Sequence, residues 1–520
     1  MHCIHIIVVA GRVNNSYGDY ADYAGMVSEA KLAFFDIGDA EEGNAGGNLQ
    51  VPGDINTDMF SIMYTSGARV FTNSWGTSTN TYDSYSQQSD RFMWENKDAL
   101  LLFSAGNSGA SGSGSIESPS ICKNAVAVGA TLNGHDSWLY YEGDKGEEYG
   151  PEAVAGFSSQ GPTRDRRLKP DVLAPGFWTT SAEGKFNSSE PFCSLIAQRG
   201  TSMACPTAAG FAMKIRAYFM EGYYPSGQRS SSDAFNPSGA LLKAMLVQSS
   251  QPMKYSVTQD THVVSDISAT YPSNVQGYGR IDMSSVLNFE AASTAPLNLF
   301  VLAGATSSDQ HYEEFTLSGQ SYQTTFSTTS SSSPIRITMV YTDYYSSTLS
   351  SSNTNGEAMQ NILSLSVSPG PSPLQVSGTV QSNVQVIDIP TPSTSTVYTV
   401  TVSCDLLSFG PQPFALVISG ANVYVENVAS ADSYSVPEDN FTAGGGAMKY
   451  IIALGLLTVL LGGLVWFFRR ISKKKTAMML DPRDFEATDG YYEEDIQDTG
   501  RGGRKSVFAT IRNIRSQRKN

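Results

Sequence analysis

The chain has 520 residues, room for two or three domains, and 40% of its side chains are hydrophobic, enough for a sizeable core. Its net charge of −15 argues against nucleic acid as a partner. Five cysteines are few for this length and odd in number, so no disulfide pairing follows from the sequence.

From residue 9 to about 289, apolar strand-like runs alternate with helical stretches, the pattern of a parallel α/β sheet. Residues 30–35 read as a buried parallel strand, 203–220 and 239–246 as helices. After residue 289 the period shortens. Residues 335–341, 384–389, 397–403 and 414–419 are β-rich runs between Ser-, Pro- and Gly-rich turns, which predicts an antiparallel sandwich over 296–420. Residues 421–449 read as a linker containing Gly444-Gly445-Gly446, and 469–520 as a disordered tail.

Between those two lies an uncharged apolar run, 450–468, long enough to span a bilayer. Trp466-Phe467-Phe468 suits an interfacial belt, and Arg469, Arg470, Lys473, Lys474 and Lys475 follow at once. Residues 469–520 carry 13 basic and 8 acidic side chains, leaving 21 basic against 41 acidic for the rest. By the positive-inside rule the tail is cytosolic and the acidic part before the span is lumenal or extracellular. Asn14, Asn187 and Asn440 sit in glycosylation sequons. Tyr491-Tyr492-Glu493-Glu494-Asp495 reads as a generic acidic patch or as a trafficking signal.

The most specific run is Gly200-Thr201-Ser202-Met203-Ala204-Cys205-Pro206. It places Ser202 at a helix N-terminus, where free N–H groups stabilise negative charge on a bound carbonyl oxygen. Pro206 falls in the first turn, where its missing N–H costs little. Cys205 reads as a small packed residue; Cys122, Cys193 and Cys404 suit a compartment outside the reducing cytosol. In chain order come Val9-Ala10-Gly11-Arg12-Val13, Thr72-Asn73-Ser74-Trp75-Gly76, Ser104-Ala105-Gly106-Asn107-Ser108-Gly109, Phe157-Ser158-Ser159-Gln160-Gly161-Pro162, Lys169-Pro170-Asp171-Val172-Leu173-Ala174-Pro175-Gly176 and Gly277-Tyr278-Gly279-Arg280.

Together these motifs resemble the subtilisin-like serine proteases, most closely the large ones with a β-sandwich after the catalytic domain. The likeness runs from about residue 9 to 289. Residues 335–343 and 409–414 more faintly resemble the jelly-roll domain of some bacterial subtilisins. The resemblance implies a peptidase domain over 1–290, with a parallel sheet and helices on both faces. It implies Ser202 as nucleophile and Asn107 as oxyanion donor. Ser74, Trp75 and Gly76 would pair with the substrate as an added strand, and Ala105 and Gly106 would form one wall of the primary specificity pocket. Glu117 would reach that pocket's floor and favour Lys or Arg, the plainer reading being a solvated loop carboxylate. Peptide or protein substrates and structural calcium follow by the same resemblance; no organic cofactor does.

The family's catalytic histidine stands directly before the Val-Ala-Gly run, a place that Val8 holds here. His2 and His5 have the family's mutual spacing, but His5 is three residues early. His135, His262 and His311 match no family motif and read as surface or packing residues. The family's aspartate precedes the histidine, whereas the earliest acidic residue here is Asp19, and residues 1–8 do not form a signal peptide. These departures together fit an N-terminally truncated sequence. As it stands, the chain is expected not to hydrolyse peptides. A pseudoprotease that binds peptides and an adhesion protein acting through its sandwich are the rival readings.

Overall fold

The computed structural model describes residues 24–38, 49–134, 149–182, 195–258, 263–289, 298–306, 311–347, 358–376, 380 and 382–429. The first sheet holds β1 (Val70–Asn73), β2 (Leu100–Ser104), β3 (Val126–Thr131), β4 (Ala153–Val154) and β5 (Val172–Pro175). Strands β6 (Thr179–Ala182) and β7 (Leu195–Gln198) form a separate hairpin. The short strands β8 (Ser250–Gln251), β9 (Tyr255–Val257), β10 (Val264–Asp266) and β11 (Arg280–Ile281) complete the first sheet.

Its centre is parallel, β1 to β2 to β3 to β5 to β11. Leu100-Leu101-Leu102-Phe103-Ser104 and all of β3 are buried. Both faces of those strands are therefore covered, which is why they read as continuous apolar runs rather than alternating ones. The helices are α1 (Ser61–Thr65), α2 (Ser84–Glu95), α3 (Thr201–Met220) and α4 (Gly239–Ser249). Helix α3 packs on β1, β2, β3 and β5. Asp83 caps α2 by accepting from Ser86 N–H, and Ser238 caps α4 by accepting from Leu241 N–H.

Residues 30–35 do not form the expected strand. Among the described residues they belong to no ladder, and Leu32 and Phe34 are each 52% exposed. A buried parallel strand needs a paired neighbour and cover on both faces; this segment has neither there. Gly38 instead makes an isolated bridge to Leu49.

The second part is an antiparallel sandwich. One sheet runs β12 (Asn298–Ala303), β19 (Gln412–Gly420), β15 (Ile335–Tyr341) and β17 (Val384–Ile389), with β13 (Glu314–Phe315) also on β19. The other runs β16 (Ile362–Ser368), β18 (Tyr398–Leu406), β14 (Ser321–Thr328) and β20 (Val423–Ala429). Strand β20 carries the sandwich past the boundary expected at Gly420, because a turn at Ala421-Asn422 returns the chain onto β14. Ile337, Met339, Leu416 and Ile418 face the sandwich interior, while Val340, Val386, Ala415 and Val417 join the core of the first part. All eleven residues of α4 are buried, packed against both β2 and the sandwich strands β15 and β19. The first part and the sandwich thus share a core and fall in one compact unit.

Among the described residues no helix is long and apolar enough to cross a membrane. The apolar run 450–468, the linker and tail beyond 429, and all three sequons lie outside the described residues.

Candidate active site

The carboxyl ends of β1, β2 and β5 lie beside the N-terminus of α3, the place where open α/β sheets assemble ligand sites. Strand β1 ends at Asn73 and passes directly into Ser74; β2 ends at Ser104 and passes into Ala105-Gly106-Asn107. After β5, the carbonyl of Gly176 accepts from Gly200 N–H at 2.8 Å, tying that loop to the start of α3.

Gly200 caps α3 with φ +152°, in the range that favours glycine. Its carbonyl takes Met203 N–H at 3.0 Å, so Ser202 sits in the first turn, partly exposed. The hydroxyl of Ser74 donates to the Ser202 carbonyl at 2.9 Å, clamping that turn to the end of β1.

Thr201 is the residue that organises this corner. Its N–H donates to Asn107 Oδ1 at 2.9 Å. Its buried hydroxyl accepts from Gly106 N–H at 3.2 Å and lies 3.1 Å from Gly106 O and 3.0 Å from Asn107 Oδ1. A backbone N–H can only donate, so the amide oxygen of Asn107 must face Thr201. The Asn107 NH₂ is thereby left to an outside acceptor, and the side chain is exposed. Sequence reading assigned no role to Thr201; its place directly before Ser202 was the one available signal.

Gly106 has φ +105°, and a Cβ there would lie 2.8 Å from Ser159 Oγ. Ala105 is buried and its N–H donates to Val128 O, extending the β2–β3 ladder by one residue. Trp75 is buried edge-on to Tyr85 and Phe103, so only its backbone is free to meet a peptide. Cys205 is buried against β1, 3.4 Å from Thr72 Oγ1, and burial pushes its thiol up to about 11. It is a packing residue, as its position suggested.

His2, His5, His135, His262 and Val8 lie outside the described residues. The ring of His311 packs 4.9 Å from Phe235 and 5.7 Å from Tyr224. Among the described residues no three His, Cys, Asp or Glu side chains converge as a metal-binding group.

Behind the site lie buried ion pairs. Asp171 accepts from Lys169 Nζ at 2.6 Å, pairs with Lys243 Nζ at 3.0 Å and takes Ala127 N–H at 2.7 Å. Burial opposes its charged form, but the two ammonium groups and the N–H outweigh it and hold the carboxyl below its ordinary value. This anchors the start of β5, and with it the loop that reaches Gly200.

A family model described as the subtilase family, peptidase S8, matches residues 1–279. The chain is 29% identical over 426 residues to the serine protease/ABC transporter B family protein tagD of Dictyostelium discoideum, covering 64% of this chain and 23% of that protein. It is 27% identical over 387 residues to tagB of the same organism, described in the same words, covering 59% and 20%. The chain thus spans about a quarter or less of the length of these relatives. Among solved structures, the S41 psychrophilic protease matches at 22% identity and a TM-score of 0.34, covering 54% of this chain and 76% of that one.

Proposed function

The chain belongs to the subtilase family, and on that premise we propose that Ser202 is the nucleophile of a serine endopeptidase site. The Ser202 N–H and the Asn107 amide would receive the oxyanion. The observation that carries this reading is the Asn107–Thr201 pairing, which turns the amide nitrogen away from Thr201 at the helix N-terminus bearing Ser202. In the reaction, Ser202 Oγ attacks the scissile carbonyl while a histidine takes its proton. An acyl-enzyme forms, the amine leaves protonated by the same histidine, and water completes hydrolysis. Ser74, Trp75 and Gly76 would hold the peptide backbone as an added strand.

With Val8 in the histidine's place, residues 1–520 alone are proposed to bind peptides without turnover. A quenched fluorescent peptide incubated with the full chain tests this. Binding without cleavage is expected; cleavage that disappears in Ser202→Ala would show a working base and overturn the no-turnover part. A chain that neither binds nor cleaves peptides would overturn the site itself.

We further propose a single membrane span over 450–468, the site lumenal or extracellular and the tail cytosolic. The apolar run with its flanking cations supports this, as does a relative whose name joins protease to transporter. Extraction of the membrane fraction with alkaline carbonate tests it: the chain is expected in the pellet, and release into the supernatant would contradict the span.

A further inference from the structure

A cavity of about 270 Å³ lies where the end of α2, the start of α4 and the sandwich meet. Its lining is of two kinds. Trp94, Pro411, Pro413 and Phe414 supply apolar and aromatic surface, while Lys97, Ser238 and Thr306 supply hydrogen-bond donors. Lys97 Nζ is buried 3.1 Å over the Trp94 ring, and among the described residues none of its three protons meets an acceptor. The Ser238 hydroxyl accepts from Leu241 N–H at 3.0 Å, and that of Thr306 accepts from Asn236 Nδ2 at 3.1 Å. Both oxygens are thus used as acceptors, and among the described residues neither hydroxyl proton is taken up. Ser238 also caps α4, so the positive end of that helix adds to the lysine. Among the described residues no carboxylate lines the cavity. The carboxylate whose charge is felt at Lys97 is Asp343, which is already paired with Lys123. Glu314 accepts from the hydroxyl of Tyr312, another lining residue.

We infer that this cavity binds a small organic acid, its carboxylate held by Lys97 and its apolar body packed against Pro411, Pro413 and Phe414. A lysine buried only for packing is matched by oxygen, as Lys123, Lys169 and Lys243 are. Lys97 has only the ring, which attracts its charge but leaves its N–H groups unmet. Lys97 and Trp94 both line the cavity, so rotation of the flexible lysine stem carries Nζ off the ring to a bound carboxylate. Ser238 and Thr306 then donate to the same group in charge-assisted hydrogen bonds. A volume below the range of pockets for drug-sized ligands restricts the occupant to a small acid. Because the lining comes from both parts of the chain, the bound acid also ties the sandwich to the first part.

The probes are phenylacetate and its uncharged isostere phenylacetamide, titrated calorimetrically into the full chain at pH 6, below the value of about 7 to which burial lowers Lys97. Phenylacetate is expected to bind about tenfold tighter than the amide and to raise the midpoint of thermal unfolding. The preference is expected to vanish in Lys97→Met and to persist in Ser202→Ala. Melting curves confirm that each variant folds, and the comparison on the unmodified chain decides without them. Equal binding of acid and amide, or binding of neither, overturns the inference. So does a folded Lys97→Met that keeps the preference. Loss of binding in Ser202→Ala would put the acid at the reaction centre and overturn it as well.

Discussion

Lys123 and Asp343, 220 positions apart, form a fully buried ion pair at 2.7 Å that joins the first part of the chain to the sandwich. Lys123 Nζ also donates to the carbonyls of Tyr344 and Ala358, while Asp343 accepts from Gln360 and Asn361 N–H at 2.9 and 2.8 Å. Beside it, Asn124 and the Asp343 backbone exchange two hydrogen bonds, each 2.8 Å. Burial raises the Asp343 carboxyl, the Lys123 charge only partly offsetting it. The sandwich therefore completes the polar interior of the peptidase-like part.

Breaking that pair leaves a buried ammonium uncompensated. Asp343→Asn is expected to destabilise the folded chain by about 3–5 kcal/mol in urea unfolding, whereas Lys123→Met with Asp343→Leu recovers most of the loss. Equal stability of Asp343→Asn and the unmodified chain would contradict a structural role.

Thr201→Val removes a hydroxyl that touches both Gly106 and Asn107 but keeps the side-chain shape. Loss of about one hydrogen bond's worth of positioning, ~1.4 kcal/mol, weakens peptide-aldehyde binding about tenfold. The midpoint of thermal unfolding should move by only a few degrees. A variant that binds as tightly as the parent would show that Asn107 is oriented by the Thr201 backbone alone.

Much of this site is legible in the sequence because each motif sits where a strand or helix ends. Gly106 and Gly200 mark the positive-φ positions, and Ser202 opens the helix that its apolar spacing predicts. The sandwich is less legible. Residues 335–341 and 384–389 stand out as β-branched runs and are strands with those bounds. Strand β14 is Ser-Tyr-Gln-Thr-Thr-Phe-Ser-Thr, and its buried Tyr322, Thr324, Phe326 and Thr328 alternate correctly among residues that otherwise read as a turn. Residues 30–35 fail the other way: their apolar content suggests a strand, but only pairing makes one. Nothing local marks Asp343 as the partner of Lys123, since that contact exists only after the sandwich docks.

Lys97 carries a pH dependence. Its Nζ is buried 3.1 Å over the Trp94 ring with no hydrogen-bond acceptor among the described residues, and burial lowers its pKa from 10.5 to about 7, Asp343 opposing this in part. Between pH 7 and about 10 the unfolded chain binds the proton and the folded chain does not, so this group makes stability rise with pH across that window. Lys97→Met is expected to flatten that slope in urea titrations and to stabilise the chain most below pH 7. An unchanged slope would place the titration elsewhere.

Cys122 and Cys205 are buried free thiols pushed up by burial, to about 12 and about 11. Iodoacetamide at pH 8 should leave both unmodified in the folded chain and alkylate both in urea. Rapid labelling of Cys205 in the folded chain would contradict its packing against β1.

The proposed reaction centre joins Ser202 to Asn107. A peptide aldehyde carrying ¹³C at its carbonyl tests it without requiring a base, because addition of the serine hydroxyl to that carbon is an equilibrium stabilised by the oxyanion donors. The ¹³C resonance of the bound peptide is expected to move from the aldehyde to the hemiacetal region. The shift should vanish in Ser202→Ala and weaken in Asn107→Ala. A bound peptide whose carbon stays in the aldehyde or hydrate region with Ser202 intact would contradict it.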